Sequence, residues 1–410
     1  MYRKRLVSIL LISSILMCGC TSRRKRAELI PTQTSFTEET EETEEQLPET
    51  EGTEKTEETE PPAPVYSDEA YEILDQMTLE EKIYQLFIVT PEQLLDLGKP
   101  FYPEDYITAT SEELEAALAQ RPVAGVVLFA GNITIPEQIT AFNGIFTQRG
   151  MFTAVDEEGG DITRIASNPN FDVMQFPPMG EVNDSYEVGY EIGTYLQDYG
   201  FNLDFAPVAD IASDPFNDVI GNRSFGDEPV DVSMQAAACV EGFTDAGIAC
   251  TLKHFPGHGN TGGDSHYGAA LLDKTAEELW AEELIPFESG IEEGVPFIMV
   301  GHITVPDVTG DLPATLSAVA IEGILRDQMG YQGIVITDSF QMDAITDNWE
   351  SDEAAVAAIQ AGADIVLMPD DFALAVQGIE DAVDNGTITE ERIDESVLRI
   401  IQTKLDYGIM

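Results

Sequence analysis

Residues 247–266 read GIACTLKHFPGHGNTGGDSH, an apolar run followed at once by a glycine-rich polar loop. The apolar run has the composition of a buried strand. The loop after it contains three of the four histidines of the chain, together with a lysine and an aspartate. Titratable side chains that gather just past the carboxyl end of a strand are typical of the active face of an α/β barrel. These residues therefore predict a barrel strand and the place of its chemistry.

Seven further apolar runs alternate with amphipathic helical patterns along residues 67–410. Continuous apolar strands between such helices indicate a parallel sheet that is covered on both faces. Eight such units predict an α/β fold with one (β/α)8 barrel of the TIM type. A doubly wound open sheet is the alternative, which the lack of a glycine-rich nucleotide fingerprint after the first strand disfavours. The predicted strands are residues 85–89, 125–129, 152–156, 202–205, 249–253, 297–300, 333–337 and 364–368.

Four polar side chains stand at or just past the ends of four different predicted strands: Asp156, His254, His302 and Asp338. In a barrel the carboxyl ends of all strands meet at one mouth, so these side chains should converge. Taken alone, an aspartate after a strand is commonly a helix N-cap. Four residues that converge favour a catalytic site.

Several motifs resemble those of the glycoside hydrolase family 3 β-N-acetylglucosaminidases. The family has a Lys-His-Phe-Pro-Gly-His-Gly block before an Asp-Ser-His triplet, which here are residues 253–259 and 264–266. Residues 155–160 and 222–226 look like its Asp-x-Glu-Gly-Gly and Asn-Arg-Ser-Phe segments, and residues 336–339 lie where it carries the nucleophile. The matches follow the order of the family over most of the chain. The resemblance implies a retaining glycoside hydrolase.

The resemblance assigns the nucleophile to Asp338, the acid/base to His266, and the orientation of that imidazole to Asp264. An imidazole titrates near pH 6.5, so it can donate and then accept a proton at neutral pH. Retaining hydrolysis needs such a group beside a nucleophilic carboxylate, and a second carboxylate can fix the tautomer of the imidazole. The positions that match sugar-binding residues of the family are Asp156, Arg164, Arg223, Lys253 and His254.

Three points around this site stay open in the sequence. His302 would either line the sugar pocket or support it, and His258 is interpreted as satisfied within its own loop. The family places Arg directly after its Gly-Gly pair, whereas this chain has Asp161, which puts the packing of that loop in question. A metal site on His254 and His258 is disfavoured, because residues 256–257 are Pro-Gly and prevent the helix that the i,i+4 spacing would need. No metal and no cofactor are expected.

Residues 1–20 have the basic head and the short apolar core of an export signal. Its last five residues resemble a bacterial lipobox, which implies a lipid anchor on Cys20 and a place outside the cytoplasmic membrane. An ordinary secreted protein that is cut nearby and an uncleaved anchor are the alternatives. Residues 21–66 are rich in Glu, Thr and Pro and should form an extended, disordered tether. Residues 67–410 are then the hydrolase domain.

The chain is strongly acidic, with 76 acidic against 20 basic residues and a formal net charge of −56. Such a surface disfavours nucleic acids and anionic membrane faces over a Debye length of about 8 Å. Attachment to a membrane would therefore depend on lipid and not on charge. We expect a monomer with a glycan as its partner.

The sequence as a whole predicts an exo-acting, retaining β-N-acetylglucosaminidase that releases terminal GlcNAc from cell-wall-derived or chitin-type glycans. A β-glucosidase or β-xylosidase of the same family is one alternative, although those relatives usually lack the Asp-Ser-His triplet. An inactive carbohydrate-binding lipoprotein is another. The presence of Asp264, His266 and Asp338 argues against it.

Overall fold

A computed structural model describes residues 64–262 and 270–410. The predicted export signal, Cys20 and nearly all of the predicted tether lie outside the described residues, as do Asp264 and His266. The described residues form ten strands: β1 (Phe87–Val89), β2 (Gly125–Val127), β3 (Phe152–Val155), β4 (Leu203–Asp204), β5 (Ala249–Phe255), β6 (Ala270–Leu271), β7 (Phe297–Val300), β8 (Ile303–Thr304), β9 (Ile334–Thr337) and β10 (Val366–Leu367).

Eight of these strands form one parallel sheet, in the order β10, β1, β2, β3, β4, β5, β7 and β9. A bridge between Ile336 and Ile365 joins β9 to the start of β10, and the Thr337 amide donates to the Ile365 carbonyl over 3.0 Å. The sheet therefore closes on itself. This confirms the TIM-type (β/α)8 barrel and excludes the open sheet.

All eight predicted strands are present in the barrel. β7 has the predicted bounds, β5 continues two residues further to Phe255, and the other six are shorter than predicted. The two-stranded sheet of β6 and β8, which lies past the carboxyl ends of β5 and β7, was not predicted. Its strands have two residues each, too few for a periodic pattern.

Helices follow the strands in sequence and cover the barrel. Their starts match the local sequence; Thr275, for example, precedes an amphipathic run and accepts from the Glu278 amide in a capping box. The α-helices in the described residues are α1 (Asp68–Leu74), α2 (Leu79–Tyr84), α3 (Pro91–Leu94), α4 (Glu112–Gln120), α5 (Pro136–Thr147), α6 (Ser185–Asp198), α7 (Pro229–Ala246), α8 (Ala276–Ala281), α9 (Ile285–Glu292), α10 (Pro306–Thr309), α11 (Asp343–Thr346), α12 (Ser351–Gln360), α13 (Phe372–Asp384) and α14 (Glu390–Asp406).

Tighter or wider helical turns complete the connections. Residues Val319–Gln328 form a π-helix before β9, and the 3-10 turns are Pro103–Asp105, Ala130–Asn132, Met179–Glu181, Gly221–Arg223 and Ala314–Leu316. Within residues 64–262 and 270–410, no single helix has both the length and the apolar composition to span a bilayer. In these residues, the length and composition criteria are met by one pair of helical segments, Pro306–Leu316 and Val319–Gln328, which is bent by 96°.

Two apolar clusters hold the barrel together. One fills its inside, where Phe152 and Phe297 meet edge to face with ring centroids 5.2 Å apart. The other lies between the strands and the surrounding helices. Because the inside is packed with side chains, a ligand at the carboxyl ends of the described strands must lie in the mouth that is formed by the loops after them.

Candidate active site

A cavity of about 330 Å³ opens at the carboxyl ends of the barrel strands. Its walls come from the ends of β2, β3, β4, β5, β7, β9 and β10 and the loops after them. Asp338 lines this cavity, and so do all five residues predicted to bind the sugar: Asp156, Arg164, Arg223, Lys253 and His254. The fold therefore brings these six residues to one mouth, and three of the four residues that were predicted to converge, Asp156, His254 and Asp338, are among them.

One wall of the cavity is a network of two acids and three bases. The Lys253 Nζ atom lies 3.0 Å from Asp156 Oδ1 and 2.6 Å from Glu158 Oε1. Arg223 donates two hydrogen bonds of 2.8 Å each to the Glu158 carboxylate. Arg164 Nη2 lies 3.6 Å from the second oxygen of Asp156. Charged donors and acceptors fixed in this way can hold sugar hydroxyls through charge-assisted hydrogen bonds.

Glu158 belongs to this network but was not among the predicted site residues. Burial alone would raise the pKa of Glu158, but the charges of Lys253 and Arg223 outweigh burial and hold that pKa well below its usual range. Burial likewise works to lower the pKa of Lys253, and its acidic neighbours more than offset it. Glu158 thus keeps Lys253 and Arg223 charged and in place. The sequence did contain a signal for this role, because Glu158 lies inside the motif of residues 155–160 at the end of a predicted strand.

The loop that presents Arg164 is held from inside the protein by Glu157. The Glu157 carboxylate accepts the backbone amides of residues 164–166 and the Tyr195 hydroxyl, the latter over 2.8 Å. Asp161, which stands where the family has Arg, is exposed and accepts from Asn222 Nδ2 over 3.3 Å. The unusual aspartate therefore faces outward, and the buried Glu157 carboxylate fixes the loop.

Asp338 follows β9 and is partly exposed to the cavity. Its Oδ1 atom accepts the Ser339 amide over 2.7 Å. Burial would raise the pKa of Asp338, but His302, His254 and this amide act in the opposite direction and lower it. An ionised carboxylate with access to the cavity is the form that nucleophilic attack requires.

His302 does not line the cavity; it supports the wall from behind. This buried imidazole places Nε2 2.8 Å from the Ser339 carbonyl and Nδ1 3.0 Å from the Thr315 hydroxyl. A carbonyl can only accept, so the network assigns a proton to Nε2 and lets Nδ1 accept from Thr315. His302 thereby fixes the backbone next to Asp338. Of the two roles that the sequence left open, these contacts favour support of the pocket.

Asp210 is a further residue that the sequence analysis missed. It is completely buried, and its Oδ2 atom lies 2.7 Å from His254 Nδ1. Its Oδ1 atom accepts the amides of His254 and His258 over 3.1 and 2.7 Å. Burial alone would raise the pKa of Asp210, but the neighbouring histidines lower it. The carboxylate therefore fixes the tautomer of His254 and directs its Nε2 edge to ligands. An acid within the apolar run of residues 208–212 was the available signal.

The loop after β5 packs tightly against the loop after β4. A Cβ at Gly259 would lie 1.9 Å from the Ile211 carbonyl oxygen, so this approach requires glycine. His258 bonds within its own loop, as predicted, since its Nδ1 lies 2.8 Å from the Thr261 hydroxyl; its side chain also lines the cavity. Gly262 donates to the Leu271 carbonyl over 2.9 Å. The two ends of the segment that contains Asp264 and His266 therefore meet beside the mouth.

His254 and His258 lie side by side at the mouth, but both direct Nδ1 to protein partners. The rings of His254 and His258 are 5.8 Å apart and inclined by 75°, and their Nδ1 atoms face Asp210 and Thr261. Among residues 64–262 and 270–410, no three His, Cys, Asp or Glu side chains are grouped as metal ligands.

Comparison with known proteins identifies the family. Residues 78–403 match the sequence model of the glycosyl hydrolase family 3 N-terminal domain. The chain belongs to glycosyl hydrolase family 3. The matched region contains every candidate site residue of the barrel, including Asp264 and His266.

Two relatives in this family are named as β-hexosaminidases. Beta-hexosaminidase A of Pseudoalteromonas piscicida is 30% identical over 334 residues, which are 73% of this chain and 56% of that protein. Beta-hexosaminidase LpqI of Mycobacterium tuberculosis is 34% identical over 262 residues, which are 61% of this chain and 67% of LpqI. The chain thus spans little more than half of the first relative and two thirds of the second.

Solved structures of the family share the fold. A glycoside hydrolase family 3 β-N-acetylglucosaminidase from Paenibacillus sp. superimposes with a TM-score of 0.74 at 34% identity, over 81% of this chain and 63% of that one. The M. tuberculosis LpqI structure gives a TM-score of 0.67 at 28% identity, over 83% of this chain and 98% of that one. Both comparisons agree with the (β/α)8 barrel described above.

Proposed function

We propose that this family 3 protein is a retaining β-N-acetylglucosaminidase that removes terminal GlcNAc from cell-wall-derived or chitin-type glycans. The observation that carries the proposal is the cavity at the barrel mouth, where the carboxylate of Asp338 faces a wall of charged sugar-binding groups. The names of the relatives, β-hexosaminidase and β-N-acetylglucosaminidase, support the choice of sugar.

The reaction would proceed in two steps. Asp338 attacks C1 of the terminal sugar, the bond from C1 to the leaving oxygen breaks, and His266 gives that oxygen its proton. Water then attacks C1, His266 takes the proton of the water, and Asp338 is released. Asp264 would hold the imidazole in the required tautomer. The assignment of His266 to this role rests on the resemblance to the family, in which an Asp-Ser-His triplet follows the Lys-His-Phe-Pro-Gly-His-Gly block.

The cavity also supports exo action. Its lower wall consists of Phe205, Met299 and Leu367, which belong to the packed cluster inside the barrel. A glycan cannot pass through this floor, and a cavity with a closed inner end favours a terminal sugar over an internal stretch of chain. Asp156, Lys253 and the groups around them would hold the hydroxyls of that sugar.

The predicted export signal and lipobox support a location outside the cytoplasmic membrane. With a lipid anchor on Cys20 and a tether over residues 21–66, the barrel would reach glycans of the cell wall. Acyl chains contribute about 0.8 kcal/mol of membrane affinity per buried methylene, so anchoring needs more than one chain. The strongly acidic domain would add no electrostatic attraction to an anionic membrane.

Aryl glycosides of GlcNAc, glucose and xylose, assayed side by side, test this function. We expect the GlcNAc glycoside to have the highest kcat/KM by at least about tenfold. Preference for glucose or xylose would identify the alternative activity of the family. Binding of glycan without turnover of any of the three would identify the inactive binding protein.

The same assay tests His266 if a GlcNAc disaccharide is added to the panel. A nitrophenolate leaves without a proton, whereas a sugar alkoxide needs one. His266→Ala should therefore lower the hydrolysis of the disaccharide far more than that of the nitrophenyl glycoside. An equal loss on both substrates would show that His266 binds sugar and does not transfer the proton.

A further inference from the structure

Another cavity, of about 420 Å³, lies at the end of the barrel opposite the mouth. Its wall includes residues that stand just before three strands: Gln85 before β1, Val123 before β2 and Met151 before β3. Helices α1, α2, α4 and α14 contribute further side chains. The amino ends of barrel strands face away from the chemistry. A ligand in this cavity would therefore leave the sugar site free.

Most of the wall of this cavity is apolar. Cavities of about 300–1,000 Å³ with apolar walls and a few polar groups are typical of sites for small molecules. A sugar would need polar partners for its hydroxyls, which such a wall does not provide, whereas an aliphatic or aromatic body would fit it. The large apolar side chains on the wall are Ile73, Met77, Leu118, Val123, Met151 and Ile401.

Lys404 of α14 is the polar residue that distinguishes the cavity. It lines the cavity and is 2% exposed, and its Nζ atom donates to Gln85 Oε1 over 2.9 Å. The centre of the Phe152 ring lies 5.2 Å from Nζ. Burial lowers the pKa of Lys404 to about 7, and no neighbouring charge contributes to this shift. Within the described part of the chain, no carboxylate therefore offsets the burial of this ammonium.

The other buried cations of the described residues do have carboxylate partners. Lys82, Lys253 and Arg326 lie 2.7, 2.6 and 2.6 Å from their nearest carboxylate oxygens. Burying a charge without an opposite charge beside it is costly. An anion in the cavity would give Lys404 the partner that the other three cations obtain from the protein.

The two further titratable side chains among the described residues on this wall have partners elsewhere. Glu81 accepts the Thr78 amide over 2.8 Å in the capping box at the start of α2. Arg149 pairs with Glu115. Neither of them supplies a negative charge at Lys404, because burial alone shifts the pKa of that lysine.

We propose that this cavity binds a small carboxylic acid with an apolar body, such as a medium-chain fatty acid, whose carboxylate pairs with the Lys404 ammonium. The apolar body would lie on the apolar side chains of the wall, and the carboxylate would break no existing ion pair. A neutral ligand of the same shape lacks the charge, and a sugar acid lacks the apolar body. The site is remote from the mouth, so the inference does not depend on the proposed function.

Titration calorimetry with octanoate and with octanamide, its neutral amide, tests the site on the whole protein at pH 6. Octanoate should bind about tenfold more tightly, the magnitude of one charge-assisted hydrogen bond. Lys404→Met should remove this preference and keep the binding of octanamide. Lys82→Met is the matched control, because it removes a buried cation that already has a carboxylate partner, and it should leave the preference unchanged. Equal affinities in wild type, or a preference that survives Lys404→Met, would overturn the inference.

A second measurement needs no variant. At pH 8 the free Lys404 amine is mostly neutral, and pairing with a carboxylate favours its charged form, so octanoate must bind together with a proton. Its affinity should be about fivefold lower at pH 8 than at pH 7, and its heat of binding should depend on the ionisation enthalpy of the buffer. Octanamide should show neither effect.

Two results of these titrations would place octanoate elsewhere. Binding at pH 8 without uptake of a proton would show that the carboxylate does not pair with Lys404. Competition between octanoate and free GlcNAc would assign octanoate to the mouth of the barrel. Either result would overturn the inference and would leave the proposed function untouched.

Discussion

At the scale of single residues, the site depends on buried carboxylates that hold the other charged and polar groups of the cavity in place. Glu158 keeps Lys253 and Arg223 charged, and Asp210 fixes the ring of His254. Partners of this kind orient the groups that bind the ligand, and their loss commonly costs one or two orders of magnitude in activity. The most specific consequence concerns Asp210.

Asp210→Asn should lower kcat/KM on an aryl GlcNAc glycoside by about 10- to 100-fold, because the amide can donate to His254 Nδ1 and favour the wrong tautomer. In a His254→Ala background the same change should have little further effect, whereas a merely structural role would give additive losses. Asp204→Asn is the matched control. Burial raises the pKa of Asp204 well above its usual value, and its Oδ1 atom accepts the Glu157 amide over 2.9 Å, which the oxygen of an asparagine amide can also do.

The sequence allowed the site to be predicted only where its residues stand in motifs or at strand ends. His254 and Asp338 stand just past the ends of predicted strands, and those positions predicted that both would lie at the mouth. Asp210 comes six residues after the end of β4, in an apolar segment. Its contact with His254 becomes visible only in the structure. The supporting role of His302 likewise depends on Thr315, which is distant in sequence.

At the scale of helices and strands, prediction succeeded where burial leaves a pattern. Strands of a parallel barrel are covered on both faces, so they appear as continuous apolar runs. The π-helix at Val319–Gln328 and the two-residue strands β6 and β8 have no comparable pattern. Close packing of helices was also hidden: a Cβ at Gly189 of α6 would lie 2.2 Å from the Cys239 carbonyl of α7. Such contacts follow from the tertiary structure.

Helix α14 carries a buried cation whose titration should be measurable in stability. Lys404 is 2% exposed; its Nζ atom donates to Gln85 Oε1 over 2.9 Å and lies 5.2 Å from the centre of the Phe152 ring. Burial lowers the pKa of Lys404 to about 7. Between this pH and the ordinary lysine pKa near 10.4, the unfolded chain binds a proton that the folded chain does not. This group should therefore make the free energy of unfolding rise with pH above 7.

Denaturant unfolding at pH 7, 8 and 9 measures this contribution as the difference between wild type and Lys404→Met. The advantage of wild type over the variant should increase by up to about 1.4 kcal/mol per pH unit. Lys82→Met is the control, because the carboxylates of Asp394 and Glu390 raise the pKa of Lys82 in spite of its burial. Its difference from wild type should not change over this range. A constant difference for Lys404→Met would mean that Lys404 stays protonated in the folded protein.

At the scale of the whole molecule, the structure shows the barrel and the sequence match shows the family, whereas the identity of the substrate is a proposal. The closed eight-stranded sheet, the family match over residues 78–403 and the structural similarity to family 3 enzymes agree with one another. The barrel explains why residues from β3, β4, β5 and β9, separated by up to 182 positions between Asp156 and Asp338, meet at one mouth. It leaves one question that decides the mechanism, which is whether Asp338 forms a covalent bond to the sugar.

Trapping the glycosyl-enzyme answers that question most directly. A fluorinated GlcNAc substrate that forms the intermediate quickly and releases it slowly should add one sugar to the protein, and peptide mass spectrometry should place it on Asp338. Asp338→Asn should take up no label and lose nearly all turnover while keeping the thermal unfolding temperature of wild type. A sugar attached to another residue, or near-normal turnover in Asp338→Asn, would contradict the account.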